Sequence, residues 1–244
     1  MNSLFKDYGA YYNLLYKDKN YKLEVEYIKK IIDRFGKKKS ELLEFGSGTG
    51  EHGTNLAKNG FKVHGIELSY EMVNLSKKYK GFTCQQGDIT KVNLKKTYDC
   101  VLSLFHVVSY LTTDKKINSL FKNVYKHLKT NGLFIFDFWY TPAVLAQKPS
   151  LRIKRAQNKN VKITRIAEPK IYSNSRVDVI YNFYLENLKN STIRSFQEVH
   201  PIKHFRLSEL EKVGKENNLK LINSEEFMTG SKLSKQTWSA CVVF

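Results

Sequence analysis

The chain has 244 residues, 41% of them hydrophobic and 13% aromatic, enough to bury a sizeable core in one large domain or in one domain with an elaboration. This composition excludes a disordered chain, no stretch approaches the roughly 20 apolar residues of a membrane span, and the charge-dotted N-terminus is not a signal peptide. Lys and Arg outnumber Asp and Glu by 41 to 23, a formal charge of +18, and the scattered Cys84, Cys100 and Cys241 suggest neither a disulfide framework nor a metal knuckle, so the cytoplasm is the expected compartment.

Residues 21–36 place apolar side chains at Val25, Ile28, Ile31, Ile32 and Phe35, the spacing of an amphipathic helix, and Gly36 closes it. Residues 40–45 read as a short buried strand and the following GSGTG as a turn. A helix over residues 51–59 stops at Gly60, a second strand covers 61–67, and Ser69 suits the N-cap of a helix through Tyr79. Residues 82–86 form a third strand and 98–105 a fourth. Thr113 or Asp114 starts a helix with Ile117, Leu120, Phe121, Val124 and Leu128 on one face; Asn131-Gly132 ends it, and 133–138 is a fifth strand. This alternation predicts a doubly wound, Rossmann-like α/β fold with a mostly parallel sheet covered on both faces.

The period then changes to two. Residues 150–204 read as successive antiparallel strands with a turn at 187–190. A helix at 207–218 follows, then a terminal strand pair at 220–226 and 237–244 that adds an antiparallel strand to the sheet. The expected organisation is a helical cap over residues 1–39, a core of 40–149 and 205–244, and a β insertion at 150–204. Ligands of such sheets sit at the carboxyl ends of the strands, so the insertion either covers the site or makes a subunit contact.

The richest signal is LLEFGSGTG, residues 42–50. Glycines at 46, 48 and 50 let the backbone turn tightly and approach a ligand closely. Glu44 precedes the turn, and Glu67 ends the next strand about 20 residues on, where a ribose-binding carboxylate is expected. Residues 48–53 also fit GxGxxG, so a dinucleotide is a rival. Glu44 and Glu51, however, put negative charge where a pyrophosphate would sit, whereas S-adenosylmethionine (SAM) presents a sulfonium and an ammonium there. Asp88, in Gln86-Gly87-Asp88-Ile89 after the third strand, can accept a hydrogen bond from an adenine amino group.

His106 follows the fourth strand, at the sheet end where ligands sit. It can take the acceptor proton, or it is a wall or helix-capping residue. Asp137 is a candidate to receive an acceptor amine or hydroxyl and Trp139 to wall the pocket, with strand-end packing the competing reading for both. His200 and His204 flank Pro201; they line the acceptor pocket or, as expected, lie on the surface. Among the N-terminal tyrosines, Tyr12 and Tyr16 are the candidates to lay ring faces against the sulfonium, for ~0.5–2 kcal/mol, unless they simply pack on the core. No acid or His pair has metal-ligand spacing.

As a set these residues resemble the class I SAM-dependent methyltransferases, over residues 40–138. LLEFGSGTG is similar to their first motif, with Glu44 as its acid. Glu67-Leu68-Ser69 followed by Met72 is similar to their second, which implies Glu67 on the ribose hydroxyls and Met72 against adenine. Gly87-Asp88-Ile89 is similar to their adenine-amino motif, and Tyr98-Asp99-Cys100-Val101 and Asn131-Gly132-Leu133 to later landmarks. A narrower resemblance rests on YYNLLYKDKNY, Ser103-Leu104-Phe105-His106 and Phe196-Gln197-Glu198-Val199-His200. It is to small-molecule enzymes that N-methylate amino sugars on sugar nucleotides. It implies N-terminal tyrosines over the cofactor and a β insertion closing the acceptor pocket. The expected cofactor contacts are then Tyr16, Tyr21, Glu44, Gly46, Gly48, Gly50, Glu67, Leu68, Met72, Gly87, Asp88, Ile89 and Ser103, with His106, Tyr12 and Asp137 at the reacting group.

The expected activity is SAM-dependent methyl transfer to a nitrogen, or an oxygen, of a small molecule. In-line displacement needs chiefly alignment, which contributes up to ~7–11 kcal/mol. The charge of +18 fits an anionic acceptor, an RNA partner held by counterion release, or plain abundance of lysine. Lysines are spread along the chain with short clusters at 37–39 and 77–78, and arginine is scarce. The RNA methyltransferase alternative lacks an Asn/Asp-Pro-Pro-aromatic tetrapeptide after the fourth strand and any appended RNA-binding domain. A non-catalytic SAM-binding partner protein is the other alternative. Monomer and homodimer are both compatible.

Overall fold

The computed structural model describes residues 8–36, 41–76 and 81–244. A short helical stretch ending in α1 (Tyr12–Leu15) leads to α2 (Tyr21–Phe35), whose N-cap Asn20 accepts a hydrogen bond from Leu23 N–H at 3.1 Å. Then β1 (Glu41–Phe45), α3 (Glu51–Lys58), β2 (Lys62–Glu67), α4 (Tyr70–Ser76), β3 (Phe82–Gln86), β4 (Tyr98–Ser103), α5 (Asp114–His127) and β5 (Leu128–Trp139) follow. Ser69 caps α4 by accepting from Met72 N–H, and Thr113 caps α5 by accepting from Lys116 N–H. The expected first residue of β1, both lysine clusters and the expected end of the α4 helix at Tyr79 lie outside the described residues.

After α6 (Thr141–Gln147) come four long strands, β6 (Arg152–Gln157), β7 (Val161–Ile171), β8 (Arg176–Asn187) and β9 (Ile193–Lys203). The chain closes with α7 (Leu207–Glu216), β10 (Asn223–Glu226) and β11 (Ser239–Val243). The main sheet has the order β10-β11-β5-β4-β1-β2-β3, with β1 to β5 parallel and β11 antiparallel to both β5 and β10. Strands β6 to β9 form a second, wholly antiparallel sheet in chain order. The doubly wound α/β reading with an antiparallel terminal strand thus describes the main sheet.

Strand β5 explains why both faces of that sheet are covered. Phe134, Phe136 and Phe138 point one way, into a cluster with Phe121 of α5 and Phe244. Leu133 and Ile135 point the other way, against Val25, Ile28 and Ile32 of α2. Asp137 is the next residue of this second set, so a carboxylate is carried into a buried position at the strand's carboxyl end. One boundary differs from expectation. Asn131-Gly132 does not end the helix; α5 stops at His127, and the pair forms a bulge inside β5, where the pairing shifts between Tyr98 and Cys100. Asn131 adopts a φ of 61°, and a Cβ on Gly132 would sit 2.9 Å from Leu128 and from the Lys129 carbonyl.

The inner face of the second sheet is apolar and meets two partners. Ile163, Phe183 and Leu185 pack on Tyr8 and Leu15 of the N-terminal stretch. Val177, Val179 and Ile202 pack on Val144, Trp139 and Trp238. The two sheets and the N-terminal stretch therefore enclose one space at the carboxyl ends of β1, β2, β4 and β5. No helix among the described residues is long and apolar enough to cross a membrane.

Candidate active site

The enclosed space is a cavity of about 780 Å³, within the usual range for small-molecule sites and toward its upper end. Its wall falls into two halves by chain origin. One half is the turn after β1 with the ends of β2 and β3: Gly46, Ser47, Gly48, Thr49, Glu51, His52, Glu67 to Met72, and Gln86 with Asp88 to Thr90. The other is the end of β4 and beyond, with Leu104 to Val107, Tyr110 and Trp139, closed by Val179, Tyr181 and Ile202 of the second sheet and by Trp238. Tyr8, Tyr12, Tyr16 and Tyr21 lie along both.

The glycine turn is held from beneath. Gly46 has a φ of 73°, and a Cβ there would meet Val107 Cγ1 at 2.4 Å, so only glycine lets β1 pass the residue that follows His106. Glu67 fixes the turn: its Oε2 accepts from Gly48 N–H at 2.9 Å and its Oε1 from Ser69 N–H at 2.8 Å. Burial pushes the Glu67 carboxyl up, opposed by these backbone donors. Glu44, 1% exposed, lies under the turn with Oε2 lacking any hydrogen-bond partner. Burial, and next the charge of Glu67, push its carboxyl up to about 8. His52 links this cluster to α2, with Nε2 at 2.6 Å from Glu24 and Nδ1 at 3.8 Å from Glu44. Asp88 Oδ1 accepts from Thr90 N–H at 2.8 Å and from its hydroxyl at 2.6 Å, and these bonds outweigh burial to keep its carboxyl below the usual range.

On the other half, His106 has a left-handed backbone (φ 63°) at the head of a 3₁₀ turn, Val107–Tyr110. Its N–H donates to both oxygens of Asp137 at 3.2 Å, and its ring Nδ1 lies 2.7 Å from Asp137 Oδ2, outside good hydrogen-bond alignment. Asp137 is 1% exposed. Burial raises its carboxyl, but His106 and the N–H groups of His106 and Phe105 prevail and hold it below the usual carboxylate range. With Nδ1 turned to the carboxylate, Nε2 is the nitrogen left to meet a ligand.

Several expected positions are placed differently. Glu44, Gly50, Gly87, Ser103 and Asp137 do not reach the cavity wall. Ser103 is fully buried and donates its hydroxyl to the Phe45 carbonyl at 3.1 Å, stitching β4 to β1. Gly50 packs on Phe82, Gly87 on Ile66, and Asp137 sits behind His106 instead of facing an acceptor. His200 and His204 are not on the surface. His200 is fully buried between Tyr110 (Oη to Nδ1, 3.0 Å) and Glu198 (Oε2 to Nε2, 3.2 Å), and His204 bonds Thr141 at 2.9 Å. The wall positions Tyr110, Val179, Tyr181 and Ile202 escaped the sequence reading. The period-two alternation that puts Val179 and Tyr181 on one face with Phe183 was their available signal. Among the described residues, no group of three or more His, Cys, Asp or Glu is arranged to hold a metal.

A methyltransferase domain model matches residues 42–132, the stretch from β1 through β5's bulge. The dTDP-3-amino-3,4,6-trideoxy-α-D-glucopyranose N,N-dimethyltransferase of Streptomyces venezuelae is 27% identical over 210 residues, 84% of this chain and 86% of that protein. Residues 42–132 thus form a methyltransferase domain. Against a protein of Geobacillus sp. (strain WCH70) named as a methyltransferase, the identity is also 27%, over 54% of this chain but only 56% of the relative's length. The fold of the whole chain is shared with a SAM-dependent methyltransferase from Clostridium acetobutylicum, at a TM-score of 0.80 and 20% identity, covering 99% and 98% of the two chains.

Proposed function

We propose that this methyltransferase uses SAM to methylate the amino nitrogen of a small anionic acceptor, an amino sugar carried on a nucleotide. The observation that carries the reading is the cavity's two-sided wall, with a carboxylate-rich glycine turn on one side and His106, backed by buried Asp137, on the other. The turn suits the cofactor. Glu51, Glu67 and Glu71 face a cationic sulfonium and ammonium favourably and a pyrophosphate unfavourably, which weakens the dinucleotide rival. When bound, SAM supplies a methyl group made electrophilic by its sulfonium.

The chain's own residues then have three tasks. Glu67 takes the ribose hydroxyls while keeping Gly48 and Ser69 in place. Met72, Asp88 and Ile89 receive the adenine, and Tyr12, Tyr16 and Tyr21 form the roof. His106 Nε2 accepts the proton that the acceptor nitrogen loses, and Asp137 stabilises the resulting imidazolium. The likeness to an amino-sugar dimethyltransferase supports the acceptor class, and the apolar lining from Trp139, Val179, Ile202 and Trp238 offers a sugar ring its flat face.

The test is to incubate the protein with SAM and a panel of amino-sugar nucleotides and follow product mass. A gain of one or more methyl masses on the amino sugar, absent in controls lacking the amino group, is expected. Transfer to none of the panel, with transfer to RNA instead, would overturn the reading.

A further inference from the structure

The roof of the cavity contains a buried positive charge with no negative partner among the described residues. Arg165, at the middle of β7, is 8% exposed. Among the described residues it forms no ion pair; its NH1 donates to the phenol oxygens of Tyr16 at 3.0 Å and Tyr8 at 3.3 Å, its face lies 4.7 Å over the Tyr181 ring, and its Nε has no hydrogen-bond partner. A desolvated cation held only by neutral phenols is unfavourable unless an anion completes the arrangement. Lys154 adds a second cation 4.8 Å from the Tyr16 ring.

Tyr16 carries that charge to the cavity. A phenol has one proton to donate and two positions at which to accept. The Tyr16 oxygen accepts from Arg165 and also from the Tyr8 hydroxyl, at 3.1 Å. Both accepting positions are taken, so its own proton must be given to something else, and Tyr16 lines the cavity. Accepting from a guanidinium makes that proton a stronger donor. Tyr8, Tyr16 and Tyr181 thus separate Arg165 from the cavity while passing its polarity through.

We infer that Tyr16, held and polarised by Arg165, is a specificity-determining donor for an anionic oxygen of a ligand in the cavity. Two ligands of the proposed reaction carry one: the phosphates of the acceptor's carrier and the methionyl carboxylate of the cofactor. The acceptor arm rests on the sugar-nucleotide reading; the cofactor arm does not. Arg165 acts through Tyr16 and is a positioning residue.

The experiment is calorimetric binding to wild-type protein, Tyr16→Phe and Arg165→Lys. Tyr16→Phe keeps the ring and its cation contacts and removes the hydroxyl, which is both the donor to the ligand and the acceptor for Arg165 and Tyr8. Two pairs of probes isolate the anion: dTDP against thymidine, and S-adenosylhomocysteine against 5′-methylthioadenosine, which lacks the carboxylate. The charged member of one pair should weaken by roughly tenfold or more in Tyr16→Phe while its uncharged partner changes little. Arg165→Lys should lose affinity for the same member. Loss confined to dTDP assigns the acceptor phosphate; loss confined to S-adenosylhomocysteine assigns the cofactor carboxylate. If Tyr16→Phe leaves both ratios unchanged, or weakens charged and uncharged probes alike, the inference is wrong. If dTDP fails to bind wild-type protein, the sugar-nucleotide reading fails and the cofactor pair alone decides Tyr16.

Discussion

A carboxylate 2.7 Å from Nδ1 of an imidazole that lines a cavity favours a proton on the nitrogen facing it. For His106 the effect is to leave Nε2 as the basic nitrogen. Replacing His106 by Ala should lower turnover by at least about tenfold while SAM affinity stays within a few-fold, because the role proposed for the histidine is on the acceptor. Asp137→Asn should lower turnover in the same direction with the fold intact. A loss below about tenfold for His106→Ala, measured as kcat with saturating acceptor, would mean that alignment alone suffices and His106 is only a wall. Glu44 gives a different kind of prediction, in stability. Its carboxyl, raised from 4.5 to about 8, holds its proton more tightly in the folded chain than in the unfolded one. Stability from this group is therefore full below about 4.5 and declines, by up to roughly 1.4 kcal/mol per pH unit, until the pH reaches about 8. Thermal melts of ligand-free wild type and Glu44→Gln across that window should diverge, with the variant gaining relative stability as pH rises. Parallel curves would show that Glu44 is ionised in the fold.

Among the elements, those with strong local rules were legible in the sequence. Glycine breaks, the Ser69 and Thr113 caps and the period switch at residue 150 each state a backbone preference that tertiary packing had no reason to override. What was not legible depends on partners far along the chain. Ser103 looks like any serine at a strand end until β1 is placed beside it and offers the Phe45 carbonyl. His200 looks like a surface histidine until Tyr110, ninety residues away, closes over it. Asn131-Gly132 reads as a helix stop because such pairs favour turns, yet here the same left-handed tolerance serves a bulge. The glycine turn offers a direct test of element-level reasoning. Gly46→Ala and Gly60→Ala both force an alanine into positive φ, at 73° and 91°, which costs about 1–2 kcal/mol. Around Gly60 there is open space, whereas at Gly46 the new Cβ would lie 2.4 Å from Val107. Gly60→Ala should therefore lower the melting temperature by a few degrees and leave SAM affinity and turnover unchanged. Gly46→Ala should lose both, since Val107 cannot move without moving His106. Equal behaviour of the two variants in calorimetry and turnover would show that the turn is not coupled to the 3₁₀ segment.

At the scale of the whole molecule the +18 charge is unevenly opposed. Glu51, Glu67, Glu71 and Asp88 all line one half of the cavity, with Glu44 and Glu24 behind them, so the half proposed to hold the cofactor is acidic inside a basic protein. A polyanion would be drawn to the outer surface and repelled at the place where chemistry is proposed, whereas a small acceptor with its charge at one end can sit with that end toward Arg165 and Lys154 and its amine toward His106. The two partners predict different responses to salt. An RNA held through six to ten phosphates would lose ~10³–10⁵ in affinity between about 50 mM and about 200 mM salt. A sugar nucleotide, with few charges and most of its contacts to one enclosed wall, should show an acceptor KM that rises only a few-fold over the same interval, with kcat unchanged. Added RNA should not stimulate methyl transfer. RNA-dependent transfer that collapses steeply with salt would relocate the function to the basic surface and make the β6–β9 sheet, in place of the roof of a small-molecule site, the part to examine for nucleic-acid contacts.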